Sequence, residues 1–313
     1  MKGSLRIVGP PLVAEEQARG PVEETSGQKP LWAAAALALV RRLGGNWLNL
    51  SSGLVVLGMV GLAILAPAIA PYDRDAVSTT EVWQPPGRAH WFGTDQFGRD
   101  VLTRVLHGAR ISLLVGVLAV ALAMGIGIPL GAMAGYAGGL LDEFIMRLVD
   151  ILMSIPGIIL AIALVSVLGP SLTHLIPVLA VFRVAQFARV TRGSALVVRA
   201  QEFVEACRAQ GQGAARIIVR HIFPNCLGPL LVLATVSVGN VILAEAALSF
   251  LGLGIQAPIP SWGGMISEGK EYLIFAWWLS TFPGLFLMIT LLGFNLVGDG
   301  LRDALDPRLR DQP

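Results

Sequence analysis

Histidine and cysteine, the side chains best suited to metal binding and nucleophilic chemistry, are few in this sequence. The chain contains four histidines and two cysteines, which are His90, His107, His174, His221, Cys207 and Cys226. Their number and spacing suit neither a metal cluster nor a disulfide framework. We therefore predict no metal site, and we interpret each cysteine as a small residue within a helix.

The sequence also lacks the motifs of an energy-converting enzyme. It has no G-x-x-x-x-G-K-[ST] loop, whose backbone amides would hold nucleotide phosphates. A Ser/His/Asp triad or a carboxylate pair needs polar groups that converge from several segments. The apolar segments of this chain do not supply such groups. The sequence therefore predicts a chain that is not an enzyme and that holds no cofactor of its own.

Three ionisable residues lie in or beside long apolar segments: Asp150, Arg183 and Glu245. A charged side chain in the middle of a membrane span costs about 2.5–3.5 kcal/mol on insertion scales, so such residues need a function or a partner. Glu245 is predicted either to face a translocation cavity or to be protonated or paired with hydroxyls such as that of Ser249. Arg183 is interpreted as a residue whose long side chain reaches a helix end.

The elements that position these residues are too apolar for a soluble domain. The chain of 313 residues is 54% hydrophobic and 14% charged, whereas soluble domains carry about 25% charged residues. Its mean hydropathy is +0.69. A membrane-spanning helix needs about 20 apolar residues, and six spans are predicted at 50–70, 111–133, 148–168, 175–187, 227–251 and 276–297. The predicted fold class is an all-α polytopic membrane protein with six transmembrane helices.

Lys and Arg are distributed unevenly between the two sides of this arrangement. With six spans, both termini share one side with segments 134–147 and 188–226, and that side carries most of the basic residues. The positive-inside rule makes it the cytoplasmic side. The predicted divisions are a cytoplasmic tail at 1–45 with a short interfacial helix at 31–40, a first span with an extracytoplasmic loop at 46–110, a core at 111–300, and a cytoplasmic tail at 301–313.

A basic stretch, EFVEACRAQGQGAARIIVRHIFPN at 202–225, connects the fourth and fifth spans. Good helix formers predict a helix over 202–210, with one face formed by Phe203, Ala206, Cys207 and Gln210. Gly211 suits the left-handed cap that ends a helix. On this evidence the stretch is either a solvated connection held by anionic lipid or a docking element for a soluble partner.

The second half of this stretch predicts another short helix, beginning at Ala214. Its apolar face is formed by Ala214, Ile217, Ile218, His221 and Ile222, and its opposite face carries Arg216 and Arg220. Pro224 either ends this helix or begins the next span. The stretch as a whole is therefore predicted to be a helix–turn–helix at the membrane surface.

EACRAQG, followed nine residues later by HIFP, resembles the signature cytoplasmic loop (Glu-Ala-Ala, three residues, Gly) of bacterial ABC importer permeases. Three further blocks are similar to the dipeptide, oligopeptide and nickel permease subfamily, and within it to the second of two permease subunits. They are FGTDQFGRDVLTRVLHGARISLLVG (92–116), LSFLGLGIQAPIPSWGGMI (248–266) and GDGLRDALDPRLR (298–310). The resemblance covers about residues 50–310. It departs from the loop motif at Cys207, where the family usually has Ala.

The resemblance implies that the 188–226 segment docks into a cytoplasmic ATPase. Glu205 would be the acidic contact, Ala206 and Cys207 the small face, and Gly211 the turn, with Pro224 completing the coupling segment. The implied partners are a related permease forming a heterodimer, two cytoplasmic ATP-binding subunits that hold ATP and magnesium, an extracytoplasmic binding protein and membrane lipid. Nucleic acid is not among them, although a net charge of +2 argues neither way. The implied location is the bacterial inner membrane.

The translocation pathway is predicted to lie between the two permeases and to be lined by the second, third and fifth spans. Ser154, Ser237, Asn240 and Glu245 are candidate pathway residues, although small polar groups equally serve to bond helix to helix. The implied substrate is a di- or oligopeptide, with nickel, glutathione or opines as alternatives. A proton-coupled carrier and a membrane enzyme are the alternatives from other classes.

Overall fold

The structure, a computed structural model, describes residues 47–305. In that range the chain forms ten α-helices: α1 (Trp47–Ile69), α2 (Val101–Ala137), α3 (Gly139–Ser154), α4 (Gly157–Leu168), α5 (Leu172–Arg199), α6 (Glu202–Ala209), α7 (Ala214–Ile217), α8 (Phe223–Phe250), α9 (Trp262–Gly269) and α10 (Trp278–Leu305). A π-helical turn, Ile218–Ile222, joins α7 to α8, and a 3₁₀ turn, Lys270–Tyr272, follows α9. The predicted all-α class is confirmed.

Five helical segments are long and apolar enough to cross a membrane: Leu50–Ile69, Val101–Ala137, Leu172–Arg199, Ala214–Phe250 and Trp278–Leu305. The pair α3 and α4 gives a sixth if it crosses as one broken span. These segments match five of the six predicted spans in place and extend most of them. The fourth span, predicted at 175–187, belongs to a helix of 28 residues.

The third predicted span, 148–168, is wrong as a continuous helix. The axes of α3 and α4 meet at 87°, because the helix breaks at Ile155 and Pro156. Proline has no N–H to donate and forces the preceding residue out of the helical region, and Ile155 has φ −94° and ψ 127°. The loop predicted at 134–147 is also helical. Gly138, with φ +69°, separates α2 from α3, and Gly139, the first residue of α3, has φ +59°.

Two predicted boundaries also move. The coupling segment expected at 188–226 begins inside α5 and ends inside α8, so its own structure is confined to the residues between those helices. The first residues of the predicted tail at 301–313 belong to α10, which ends at Leu305. The whole tail predicted at 1–45, including the interfacial helix at 31–40, lies outside the described residues, as do residues 306–313.

Glycines on α2 bring that helix into close contact with α5. A Cβ atom on Gly131 would lie 2.2 Å from the carbonyl oxygen of Ala188, and one on Gly127 would lie 2.6 Å from that of Val184. Small residues permit such close packing of membrane helices. The two helices run parallel, since moving four residues forward along α2 moves the contact four residues forward along α5.

The long helices define two ends of the bundle. At a rise of about 1.5 Å per residue, α2 is about 55 Å long. Near its start the Trp262 indole N–H donates to the carbonyl oxygen of Val105 at 3.1 Å. Near its finish the Arg199 guanidinium donates to that of Gly135 at 3.4 Å. Segments 70–100 and 251–277 therefore lie at one end, the loop end. Helices α6 and α7 lie at the other, the turn end.

A buried cluster of charges fixes the loop end. Arg99 Nε lies 2.6 Å from Asp95 Oδ2, and Arg104 Nε lies 3.7 Å from the same oxygen. The Glu268 carboxylate lies 3.7 Å from Arg99 and 3.6 Å from Arg104. Asp95, Arg99 and Arg104 are buried. Asp95 and Glu268 thus share the compensation of two guanidinium groups that water hardly reaches, and Asp95 makes the shortest contact, with Arg99.

Candidate functional site

The turn after α6 has the hydrogen bonds of a Schellman motif. The Gly211 N–H donates to the carbonyl oxygen of Arg208 at 2.9 Å, and the Gln212 N–H donates to that of Cys207 at 3.1 Å. Gly211 has φ +75°, the left-handed conformation that this motif requires and that glycine adopts without strain. The sequence had predicted this conformation for Gly211.

The chain then passes from α7 through the π-helical turn into α8 without an interruption. Pro224 lies in the first turn of α8, the second of the two positions considered for it. Ile217 and Ile222 are buried, whereas Arg216 and Arg220 are exposed. The apolar and polar faces predicted for this segment are therefore present, except that Ala214 is exposed.

The face predicted for α6 is mostly exposed, and a different residue packs on the bundle. Val204 is the buried residue of this helix, and Phe203, Ala206 and Gln210 are exposed. Cys207 is partly buried, with its Sγ 3.7 Å from Nε2 of His221. The helix has only about two turns. Its packed side is therefore set by the way the chain enters from α5 and not by the hydrophobic period.

The residues of the EACRAQG motif on α6 differ in their contacts with the bundle. Arg208 lies one helical turn after the buried Val204. It is exposed, but its guanidinium lies 4.8 Å from the centre of the Tyr136 ring. Glu205 and Ala206 are exposed. They give the turn end an acidic side chain beside a small one, on a helix whose position is fixed by packing.

Two adjoining cavities form a central groove between α3, α4, α5 and α8. One has a volume of about 260 Å³ and is mainly apolar; the other, of about 360 Å³, is lined by Arg189, Ser237 and Asn240 among others. Met153, Arg183 and Gln186 line both. Among the described residues, none from α2 lines either cavity, contrary to the expectation for the second span. Its glycines and their neighbours are occupied by packing against α5 and α8.

The candidate pathway residues occupy three different positions. Ser237 and Asn240 line the larger cavity. Ser154 lines neither cavity; it is exposed and its hydroxyl donates to the carbonyl oxygen of Ile151, in its own helix, at 2.7 Å. The structure thus brings Ser237 and Asn240 together and leaves Ser154 at the end of α3, next to Met153.

Glu245 lies outside the groove and is fully buried. Its Oε1 accepts a hydrogen bond from Ser249 at 2.7 Å, and its Oε2 accepts one from Ser112 at 3.4 Å. The Ser112 hydroxyl oxygen in turn accepts the Trp262 backbone N–H at 3.4 Å. These contacts join α8 to α2 and α9. Of the two interpretations left open for Glu245, they support bonding within the bundle.

Arg183 and Gln186 are two polar residues that line both cavities and that the sequence analysis did not select as pathway residues. The Arg183 Nη1 donates to Gln186 Oε1 at 2.7 Å, and both side chains are half-buried. Arg183 lies about 16 Å from the start of α5 at a rise of about 1.5 Å per residue. The sequence did contain a signal for Arg183, because an ionisable residue in the middle of a span typically belongs to a substrate pathway or a binding site. Ending the span at 187 placed Arg183 near a helix end instead.

Guanidinium, amide and hydroxyl groups are suited to reversible binding. They form hydrogen bonds with carboxylates and peptide groups, and arginine binds carboxylates with two parallel bonds. Across residues 47–305 no three His, Cys, Asp or Glu side chains are grouped as metal ligands. The groove and the exposed side of α6 are therefore the two candidate sites, one for a small polar molecule and one for a protein.

The chain is similar over nearly its whole length to bacterial transport proteins. It is 42% identical to a dipeptide transport system permease protein of Alkalihalophilus pseudofirmus, covering 96% of this chain and 97% of that one. It is 42% identical to a probable D,D-dipeptide transport system permease protein of Escherichia coli, covering 91% and 97%. A glutathione transport system permease protein of Escherichia coli is 41% identical, covering 96% and 95%.

The fold has been seen before. The methionine ABC transporter MetNI in an inward-facing conformation superposes with a TM-score of 0.55 at 20% identity, covering 66% of this chain and 97% of that one. Residues 127–311 match the family described as "Binding-protein-dependent transport system inner membrane component". This match spans the central groove and the turn end. The chain belongs to that family and is a permease component of an ABC importer.

Proposed function

We propose that this chain moves di- or oligopeptides across the bacterial inner membrane as one of two different permease subunits. Separate cytoplasmic subunits hydrolyse ATP, and an extracytoplasmic binding protein delivers the substrate at the loop end. The observation that carries the proposal is the identity of at least 40% to dipeptide and glutathione permeases over more than 90% of the chain. A sequence without a phosphate-binding loop fits a subunit that relies on others for energy.

The contact with the ATPase is proposed to be the exposed side of α6. Glu205 supplies a charge and Ala206 permits close approach, since both point away from the bundle. Cys207 contributes by holding α6 against His221, and Gly211 by setting the angle of the turn. In this arrangement the turn end faces the cytoplasm, together with the described ends of α1 and α10.

A helical connection leads from this contact to the groove. From α7 onwards the chain is helical without a break through Pro224 to Phe250, so a displacement of the turn moves α8. Helix α8 carries Ser237 and Asn240, which line the groove. Closure of the ATPases is therefore proposed to change the groove by moving α8 relative to α5.

Of the two acidic residues of α6, Glu205 is expected to be the one that couples uptake to ATP hydrolysis. We expect Glu205→Ala to reduce peptide uptake per ATP hydrolysed severalfold in the complete transporter, because the ATPase loses its acidic contact. Glu202→Ala is the matched control, since Glu202 is exposed in the first turn of the same helix. Uptake of labelled peptide and phosphate release are measured on the same proteoliposomes. Equal effects of the two variants would argue against docking through Glu205.

Glutathione is the second substrate candidate, supported by the relative named for it. It shares a carboxylate and peptide groups with the peptides, so the same groove could serve both. Competition between glutathione and a dipeptide for uptake distinguishes the two. Inhibition only by peptides supports the first candidate.

A further inference from the structure

We propose that Arg183 is a specificity-determining residue that binds the carboxylate of the peptide while it passes through the central groove. Ser237 and Asn240, on the facing helix α8, form hydrogen bonds with the adjacent peptide group. The inference rests on the proposed function and names the substrate group that the groove recognises. This recognition takes place in the groove of the permease and is separate from substrate selection by the binding protein.

Arg183 lacks the ion-pair partner that Arg189 and Arg192, on the same helix, each have. Arg192 Nε lies 2.5 Å from Asp142 Oδ1, and Arg189 pairs with Asp150. No Asp or Glu within residues 47–305 forms an ion pair with Arg183. A half-buried guanidinium without an anion is unfavourable in a bundle that faces lipid. An anionic substrate group supplies the missing partner.

Arg183 also has donors to spare. A guanidinium carries five N–H groups, and a single one is used by Gln186 in the contacts among described side chains. That bond holds the guanidinium on the wall shared by both cavities. A planar fork held in this way matches a carboxylate, which accepts two parallel bonds from arginine.

Ser237 is a second, independent indication of a ligand. Its side chain is 1% exposed, it lines the larger cavity, and its Oγ has no hydrogen-bond partner among the described residues. Leaving a buried polar group without a hydrogen bond is destabilising. A peptide N–H or C=O in the larger cavity would satisfy it, with Asn240 one helical turn further along α8 offering both a donor and an acceptor.

The two cavities differ in a way that suits a peptide. Ser237 and Asn240 line only the larger cavity, whereas apolar residues such as Leu152, Ile158 and Val241 line only the smaller one. Arg183 lines both. Pockets for small ligands typically measure about 300–1,000 Å³, and the two cavities together fall in that range. A short peptide can place its carboxylate at Arg183 and an apolar side chain in the smaller cavity.

The test compares uptake of a dipeptide with that of its C-terminal amide by the complete transporter in proteoliposomes. For each substrate, the rate with Arg183→Gln is divided by the wild-type rate, which removes the preference of the binding protein. We expect this ratio to be about 0.1 or lower for the dipeptide with a free carboxylate and to lie within about twofold of 1 for the amide. A tenfold loss corresponds to about 1.4 kcal/mol. Arg192→Gln, which removes a charge from α5 outside the groove, should affect both substrates equally.

Arg183→Lys provides the second arm, because it keeps the charge and loses the fork. It should retain more carboxylate uptake than Arg183→Gln at equal amounts of assembled transporter. The inference is overturned if Arg183→Gln slows both substrates equally, or if Lys is as poor as Gln. If the wild-type transporter fails to import any peptide with ATP, the proposed function fails instead, so the two failures can be told apart.

Discussion

Asp95→Asn is expected to destabilise the loop end by about 3–5 kcal/mol, the usual cost of removing one partner from a buried ion pair. Asn has nearly the same shape and can still accept the backbone N–H groups of Phe97 and Arg99, which Asp95 Oδ1 binds at 2.8 and 3.0 Å. It would leave Arg99 and Arg104 with the more exposed Glu268 as their remaining ion-pair partner, besides a longer-range attraction from Asp75. The apparent Tm in detergent should fall by on the order of 10 °C.

Asp75→Asn is the matched control for this change. Asp75 lies in the same loop segment and pairs with Arg74 at 2.6 Å, but both side chains are substantially exposed. Exposed pairs contribute about 0–1 kcal/mol, so its Tm should barely change. If Asp95→Asn is as mild as Asp75→Asn, the buried cluster does not hold the loop end.

Gly211→Val should reduce ATP-driven uptake at least tenfold while leaving the protein folded. Gly211 has φ +75°, which costs a β-branched residue of order 1–3 kcal/mol. There is open space around its position, so no side-chain clash is created. We expect the turn to change its geometry and to carry Glu205 and Ala206 away from their docking position. Uptake and ATP hydrolysis by the assembled transporter, normalised to its amount, give the result.

Gly213→Val separates turn geometry from the mere presence of a larger side chain. Gly213 also has open space around it, but its φ of −68° and ψ of 149° suit valine. Uptake by this variant should remain close to the wild-type rate. If both valines abolish uptake equally, the left-handed conformation of Gly211 is not what matters.

The sequence predicted the parts of the fold that depend on local signals. Long apolar segments predicted the membrane helices, and Gly211 followed from the backbone conformation that ends a helix. Pro156 lies inside the predicted third span and disfavours a straight helix there, but the 87° between α3 and α4 depends on what these helices pack against. The residue of α6 that packs on the bundle was not predictable for the same reason, since contact with α2 and α5 selected Val204 rather than the residues of the hydrophobic period.

The groove was only partly predictable. Ser237 and Asn240 were selected because they are polar residues in a span, and so was Ser154, which lines no cavity. What distinguishes them is the position of a neighbouring helix, and a single sequence does not specify that position. Arg183 was assigned to a helix end because the boundary of its helix was placed twelve residues too early. Helix ends are where sequence signals are weakest.

The central claim is that this chain transports peptide with energy taken from separate ATPases. It is tested most directly by peptide accumulation in proteoliposomes that contain the chain with its partner subunits, with ATP on the turn-end side and the proton gradient removed by an ionophore. We predict accumulation that requires ATP and persists without the gradient. Accumulation that continues without ATP and disappears with the ionophore would contradict the account.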